Sequence, residues 1–157
     1  MEINIRNWRS SDLFAIQKLW LEFCRRATRS DMRLKPDCDI TMTEWLADRF
    51  KDPGTFGLIA EFDRRPAGFL IGRVGDWESV PPVIEPRKLG IIDAVYVQDE
   101  FRRRGIGLRL VEQALETMRE RDAVAAETFY DAWNEESAEI WRRAGFAPWV
   151  VRAYRLL

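Results

Sequence analysis

"FRRRGIGLRL", residues 101–110, is the stretch on which the reading of this chain turns. An apolar run, "GIIDAVYV" (90–97), precedes it. "LRLVEQALETMRER" (108–121) follows, with Leu108, Val111, Ala114, Leu115 and Met118 on one helical stripe. A strand, a glycine turn and a helix start, in that order, make an anion site. The first N–H groups of a helix have no internal partners, and the helix dipole adds partial positive charge there. Gly105 and Gly107 present bare backbone to a ligand. Arg102, Arg103 and Arg104 add full charge in a form suited to phosphate oxygens. A pyrophosphate fits this chemistry.

Two other glycine motifs are excluded. No Gly-Lys-Ser/Thr follows, so this is not a P-loop. Leu110 stands where a dinucleotide fingerprint has its third glycine. A solvated turn before an ordinary helix remains a second reading. A nucleic-acid patch is the third, and it is weak. The basic cluster is short and lacks interleaved aromatics, and the net charge of the chain is −1.

The composition narrows the field further. With 157 residues, 46% of them hydrophobic and 32% charged, the chain reads as one domain spanning 1–157. No histidine is present, which removes Ser-His and Cys-His hydrolases. Only carboxylates, Cys24 and Cys38 are left to hold a metal, and none is expected. Two cysteines are too few for a disulfide framework and read as free thiols of a reducing compartment. "MEINIRNWRS" has no signal-like apolar core, and no apolar run is long enough to span a membrane. The expectation is a cytoplasmic protein with neither a membrane nor a nucleic-acid partner.

Working outward, "INIRNW" (3–8) alternates as a strand does. Ser10 or Ser11 is the expected cap of a helix carrying Leu13, Ile16, Trp20, Phe23 and Ala27 on one face. The polar stretch 28–39 breaks it, with Pro36 forbidding continuation. Thr41 and Glu44 have capping-box spacing at the start of a second helix, which "KDPG" (51–54) ends. "TFGLIAEF" (55–62) and "PAGFLIGRV" (66–74) read as an antiparallel hairpin. The connector 75–89, with three prolines, reads as a long surface loop. "GIIDAVYV" reads as a central strand, and "AVAAETFY" (123–130) as another strand. Asn134 is the expected cap of a short helix that Gly145 ends. "FAPWVVRAYRLL" (146–157) reads as a final strand. The order is β-α-α-β-β-β-α-β-α-β, an α/β sheet with helices on both faces.

"VQDEFRRRGIG" (97–107) resembles motif A of the GCN5-related N-acetyltransferases, the GNAT superfamily, whose pattern is Q/R-x-x-G-x-G/A. "NEESAEIWRRAGF" (134–146) resembles the same superfamily's motif B in its asparagine and its Gly-Phe. The element order also matches. The resemblance implies a mixed, mostly antiparallel sheet whose fourth and fifth strands splay apart. It implies acetyl-CoA, or a longer acyl-CoA, as co-substrate and no metal. It assigns the CoA pyrophosphate to residues 102–107: Arg102, Arg103, Arg104, Gly105, Ile106 and Gly107. It assigns the pantetheine arm to Val95, Tyr96 and Val97, with Asn134, Ser137 and Trp141 flanking it. The implied reaction is attack of a primary amine on the thioester. The acceptor is a small molecule, a peptide N-terminus or a lysine. A non-catalytic acyl-CoA-binding or regulatory module is the alternative. The oligomeric state is open, a homodimer included.

The motif departs from the family at one place. Many relatives carry a tyrosine in motif B as general acid, and here Trp141 stands there. An indole N–H donates a hydrogen bond but does not give up its proton. Tyr130 is the substitute candidate, against a packed strand tyrosine. For the base, Asp93 is first and Glu127 second. Period-two alternation puts Asp93 on one face with Val95 and Val97. An acid in such a strand needs a function or an arginine partner. A carboxylate is a weak base toward an ammonium, so either acid would act through water. Asp76, Trp77 and Glu78 read as acceptor contacts or as a solvated loop.

Overall fold

The computed structural model describes residues 2–27, 29 and 31–157. Alternating apolar residues build β1 (Ile3–Asn7), and near-continuous apolar runs build β2 (Thr55–Phe62) and β3 (Arg65–Trp77). The apolar run before the glycine turn is β4 (Arg87–Val97), and a short β5 (Ala125–Thr128) follows the amphipathic helix. The helices are α1 (Leu13–Ala27), α2 (Cys38–Lys51), α3 (Ile106–Glu120) and α4 (Glu135–Arg143). The strands form one sheet in the order β1-β2-β3-β4-β5. Neighbours are antiparallel from β1 to β4, and β4 pairs β5 in parallel. This is the mixed, mostly antiparallel sheet that the motifs implied.

The sheet separates two apolar layers. On one face, Leu58, Leu70 and Ile92 pack against Ile106, Leu110, Val111, Ala114 and Met118 of α3 and Trp141 of α4. On the other, Ile59, Phe69, Ile71 and Tyr96 pack against Ile16 and Leu19 of α1 and Leu46 of α2. Adjacent residues such as Leu70 and Ile71 serve opposite layers, as the pleat requires. The β2–β3 turn is two residues, Asp63 and Arg64, both with positive φ, which suits the twist of a tight hairpin.

Several boundaries differ from the sequence expectations. Neither Ser10 nor Ser11 caps α1. They form a tight turn with Asp12, whose carboxylate accepts the Arg9 N–H at 2.7 Å. Helix α2 starts at Cys38, so Thr41 and Glu44 lie inside it and Thr41 N–H bonds Asp37 carbonyl. The sequence pattern there favoured a later start because a polar first turn carries no apolar periodicity. The long connector shrinks to 78–86 because β3 and β4 extend through Trp77 and Arg87. Trp77 is in β3, with the Arg87 guanidinium over its ring at 5.2 Å, and Asp76 pairs with Lys88. Thr28 and Ser30, within the polar break expected at 28–39, lie outside the described residues.

The final strand expected at 146–157 does not form. Pro148 has no N–H for a ladder, and side-chain contacts hold the segment instead. The Arg152 guanidinium lies 5.0 Å from the Phe129 ring centre, and the Tyr154 hydroxyl donates to Asp31. Among the described residues β5 has β4 as its strand partner and an open outer edge.

A half-buried charge cluster ties the sheet edge to the turn that leads into α1. Arg6 in β1 donates to both oxygens of Asp12 at 2.7 and 2.9 Å and to Glu61 in β2 at 2.7 Å. These bonds hold the Asp12 and Glu61 carboxyls below their usual range, with the Arg6 hydrogen bonds as the largest cause. Groups lowered in this way stabilise the fold above their unfolded-state values, and that stability is lost as pH falls through the folded-state values. Asp12→Asn is expected to lower the unfolding free energy at pH 7 by about 2 kcal/mol in urea titrations. The gap between variant and wild type should close as the pH is taken below about 4. A gap unchanged at low pH would show that the carboxylate charge is not its source.

Candidate active site

Strands β4 and β5 share a short ladder. Their register runs from Leu89 opposite Ala125 to Ile92 opposite Thr128 and stops there. The Thr128 hydroxyl reaches the Ile92 carbonyl at 3.4 Å at that last rung. Ala94 to Val97 continue to pair with Ile71 to Gly68 of β3. On their other side they have no strand among the described residues. Val95, Tyr96 and Val97 therefore lie on an edge of β4 that no strand pairs, facing the gap left where the ladder ends. Gly68 permits the close approach of β3 here: a Cβ on it would stand 2.5 Å from the Tyr96 carbonyl oxygen.

At the vertex of the gap β4 carries a bulge. Gly72 of β3 faces Ile92 while Ile71 faces Ala94, so Asp93 is the extra residue. This overturns the expectation that Asp93 shares a face with Val95 and Val97. Those valines pack with Ile92 in the α3 layer, whereas Ala94 and Tyr96 face the α1–α2 layer. Asp93 instead accepts the Arg73 Nε–H at 3.1 and 3.2 Å. A bulge of this kind re-aims a side chain and bends its strand.

At the wide end of the gap the chain turns into α3. Gly105 is the residue before α3, with φ 75°, and its carbonyl accepts the Arg109 N–H at 3.1 Å. A Cβ there would meet nothing within 4 Å, so the turn opens onto free space while its conformation still disfavours any side chain. Ile106 is buried beneath the turn, and Gly107 faces Ile140 and Val97 at ordinary contact distance.

The three arginines divide three ways. Arg102 donates Nε–H to the Val97 carbonyl at 3.0 Å and ion-pairs Asp99 and Glu136. Arg104 lays its guanidinium 4.8 Å from the Phe62 ring centre. Arg103, exposed and with φ 59°, has no partner among the described residues.

Helix α4 forms the opposite flank. Asn134 caps it as expected, its Oδ1 accepting the Ser137 N–H at 3.0 Å. Gly145 ends it with φ 86°. Trp141 is buried, donates its indole N–H to Ser137 Oγ at 3.0 Å, and meets the Phe146 ring edge-on. Its one donor is thus consumed within its own helix.

The remaining acid and phenol candidates lie in β5 and beyond it. Glu127 lines a hollow with Leu115, Ala126, Phe146 and Trp149, on the α3–α4 side of β5. Tyr130 lies past the end of β5, 39% exposed. In the β4–β5 register Glu127 stands opposite Ile91, two residues before Asp93. Sequence reasoning missed Arg73 and Glu136. Arg73 is visible only once the β3–β4 register is known, whereas Glu136, in the first turn after the Asn134 cap, offered a sequence signal. No cluster of three or more metal-ligating side chains occurs among the described residues, and no helix among them is long and apolar enough to cross a membrane.

The chain is similar to known proteins over this same framework. It is 37% identical over 91 residues to an uncharacterised N-acetyltransferase of Archaeoglobus fulgidus, a match covering 58% of this chain and 57% of that protein. The matched region thus spans a little over half of that relative's length. Among solved structures it superposes on the aminoglycoside N-acetyltransferase AAC(6')-Iy in complex with CoA, with a TM-score of 0.78 at 15% identity, covering 99% of this chain and 95% of that one. A ribosomal-protein-alanine N-acetyltransferase from Brucella melitensis superposes with a TM-score of 0.71 at 19% identity, over 99% and 100% of the two chains. The model of the acetyltransferase (GNAT) family matches residues 14–146, from the first turn of α1 to the Gly-Phe after α4. The chain belongs to the acetyltransferase (GNAT) family.

Proposed function

We propose that the protein is an acetyl-CoA-dependent N-acetyltransferase acting on a primary amine. The observation that carries this reading is the unpaired edge of β4 that leads into an open glycine turn at the start of α3. The edge matches the amide-bearing pantetheine arm, and the turn matches a pyrophosphate. Val95, Tyr96 and Val97 offer backbone groups to the arm. The Gly105–Gly107 amides and the unpaired Arg103 meet the phosphates. Asn134 and Ser137 border the arm from α4.

When bound, acetyl-CoA supplies an activated carbonyl, whose C–S bond breaks as the amine forms the C–N bond, the sulfur leaving with the electron pair. A fixed β4 N–H directed at the carbonyl oxygen lowers the barrier as charge builds there. Holding both reactants in line supplies much of the remainder. Asp93, at the vertex of the gap, takes up the surplus ammonium proton through water. Arg73 fixes the carboxylate by donating to both of its oxygens. Trp141 contributes packing and no proton. The acceptor is a small-molecule amine, a peptide N-terminus or a lysine, the kinds of group that the aminoglycoside and ribosomal-protein relatives are named for.

A second reading, a non-catalytic acyl-CoA-binding module, draws support from the buried Trp141 in the motif B acid position. Thiol release measured against a panel of amines separates the two. Turnover on any amine favours the enzyme, and tight acetyl-CoA binding with no turnover favours the module. In calorimetry, Gly105→Glu should weaken acetyl-CoA binding by more than about tenfold, since it forces a side chain into a left-handed turn and adds an anion beside the phosphates. Asp93→Asn should lower kcat by about a hundredfold with acetyl-CoA affinity kept. Unchanged kcat would remove Asp93 from the chemistry.

A further inference from the structure

We infer that Arg102 is a positioning residue that sets the width of the donor gap, not a ligand of the donor's phosphates. This inference rests on the acetyl-CoA reading above. Each of its three nitrogens has an oxygen partner within 4 Å. Nε donates to the Val97 carbonyl, the last residue of β4, at 3.0 Å. One terminal nitrogen pairs with Asp99 at 3.1 Å, and the other faces Glu136, in the first turn of α4, at 3.7 Å. Its Cζ lies 5.7 Å from the centre of the Tyr96 ring.

Asp99 is itself anchored. Asp99 also pairs with Arg26 of α1, Arg26 pairs with Glu22, and Glu22 accepts the Tyr96 hydroxyl. The chain of contacts runs from α1, under the end of β4, to α4. The β4–β5 ladder has ended by then, at Ile92 and Thr128, so the sheet no longer sets the separation of the two flanks. Arg102 ties β4's last carbonyl to α4 across that opening.

Charge points the same way. Two carboxylates stand at the Arg102 fork, so its positive charge is balanced locally and an incoming pyrophosphate would meet their repulsion. Arg103 carries its charge with no carboxylate paired to it among the described residues. A planar fork holding three groups at once is a task for which lysine is no replacement.

The test compares two donors by calorimetry, which requires no acceptor: acetyl-CoA, and S-acetylpantetheine, which lacks the pyrophosphate and nucleotide. Arg102→Gln should weaken both by the same factor, about tenfold. Arg103→Gln should weaken acetyl-CoA alone. Arg102→Lys should fail to restore either affinity. Glu136→Gln, an exposed change with little risk to folding, should weaken both donors equally and by less. The inference is overturned if Arg102→Gln weakens acetyl-CoA alone, or if Arg102→Lys restores its binding, since charge on a phosphate would then be the role. It is also overturned if Arg102→Gln does not fold and Glu136→Gln either leaves both affinities unchanged or weakens acetyl-CoA alone. A wild type that binds neither donor overturns the acetyl-CoA reading and this inference with it, and that result is distinct because it precedes any variant.

Discussion

The end of the β4–β5 ladder at Ile92 and Thr128 is the constraint on which the rest of this structure depends. A parallel pair that continued would have satisfied β4's backbone groups along its whole length and left a closed sheet. Ending the ladder early leaves the edge from Asp93 to Val97 facing a gap. The bulge at Asp93 falls at the same rung. It bends β4 and reverses which residues face which layer, so that Val95 and Val97 join Ile92 in the α3 layer.

An open gap in a sheet must be held open. Here the apolar layers do most of that. Ile106 and Leu110 seat α3 against β4, and Trp141 seats α4 against the same layer. The charged groups act at the margins, where burial cannot. Arg6 joins β1, β2 and the start of α1, and Arg73 holds Asp93 at the vertex. Arg6 grips Asp12 through two N–H groups, the bidentate geometry in which such pairs specify position best, whereas Arg73 shares one Nε–H between both Asp93 oxygens.

Much of this was legible in the sequence. The glycine turn, the Asn134 cap and the Gly145 stop depend on local chemistry and form where the residues indicated, as does the stripe of α3 except that Leu110, not Leu108, is its buried member. The hairpin was legible for the same reason. The bulge was not. It is a property of two strands in register, and within "GIIDAVYV" nothing distinguishes an extra residue from a regular one. The period-two rule therefore placed Asp93 on the wrong face. Arg73 was hidden for the same reason, being twenty residues away and adjacent only through the ladder. The final segment misled in the opposite sense. Its apolar residues suggest a strand, but Pro148 interrupts the donors, and Arg152 and Tyr154 find side-chain partners instead.

The burial of Trp141 has a kinetic meaning. Its N–H is bonded to Ser137, so the motif B position has no dissociable proton to lend. Under the proposed acetyl transfer, the departing sulfur carries its own negative charge until solvent reaches it. For the proposed reaction, turnover tracks the acidity of the leaving thiol. Under that mechanism the rate lacks the alkaline descent that a tyrosine general acid would impose.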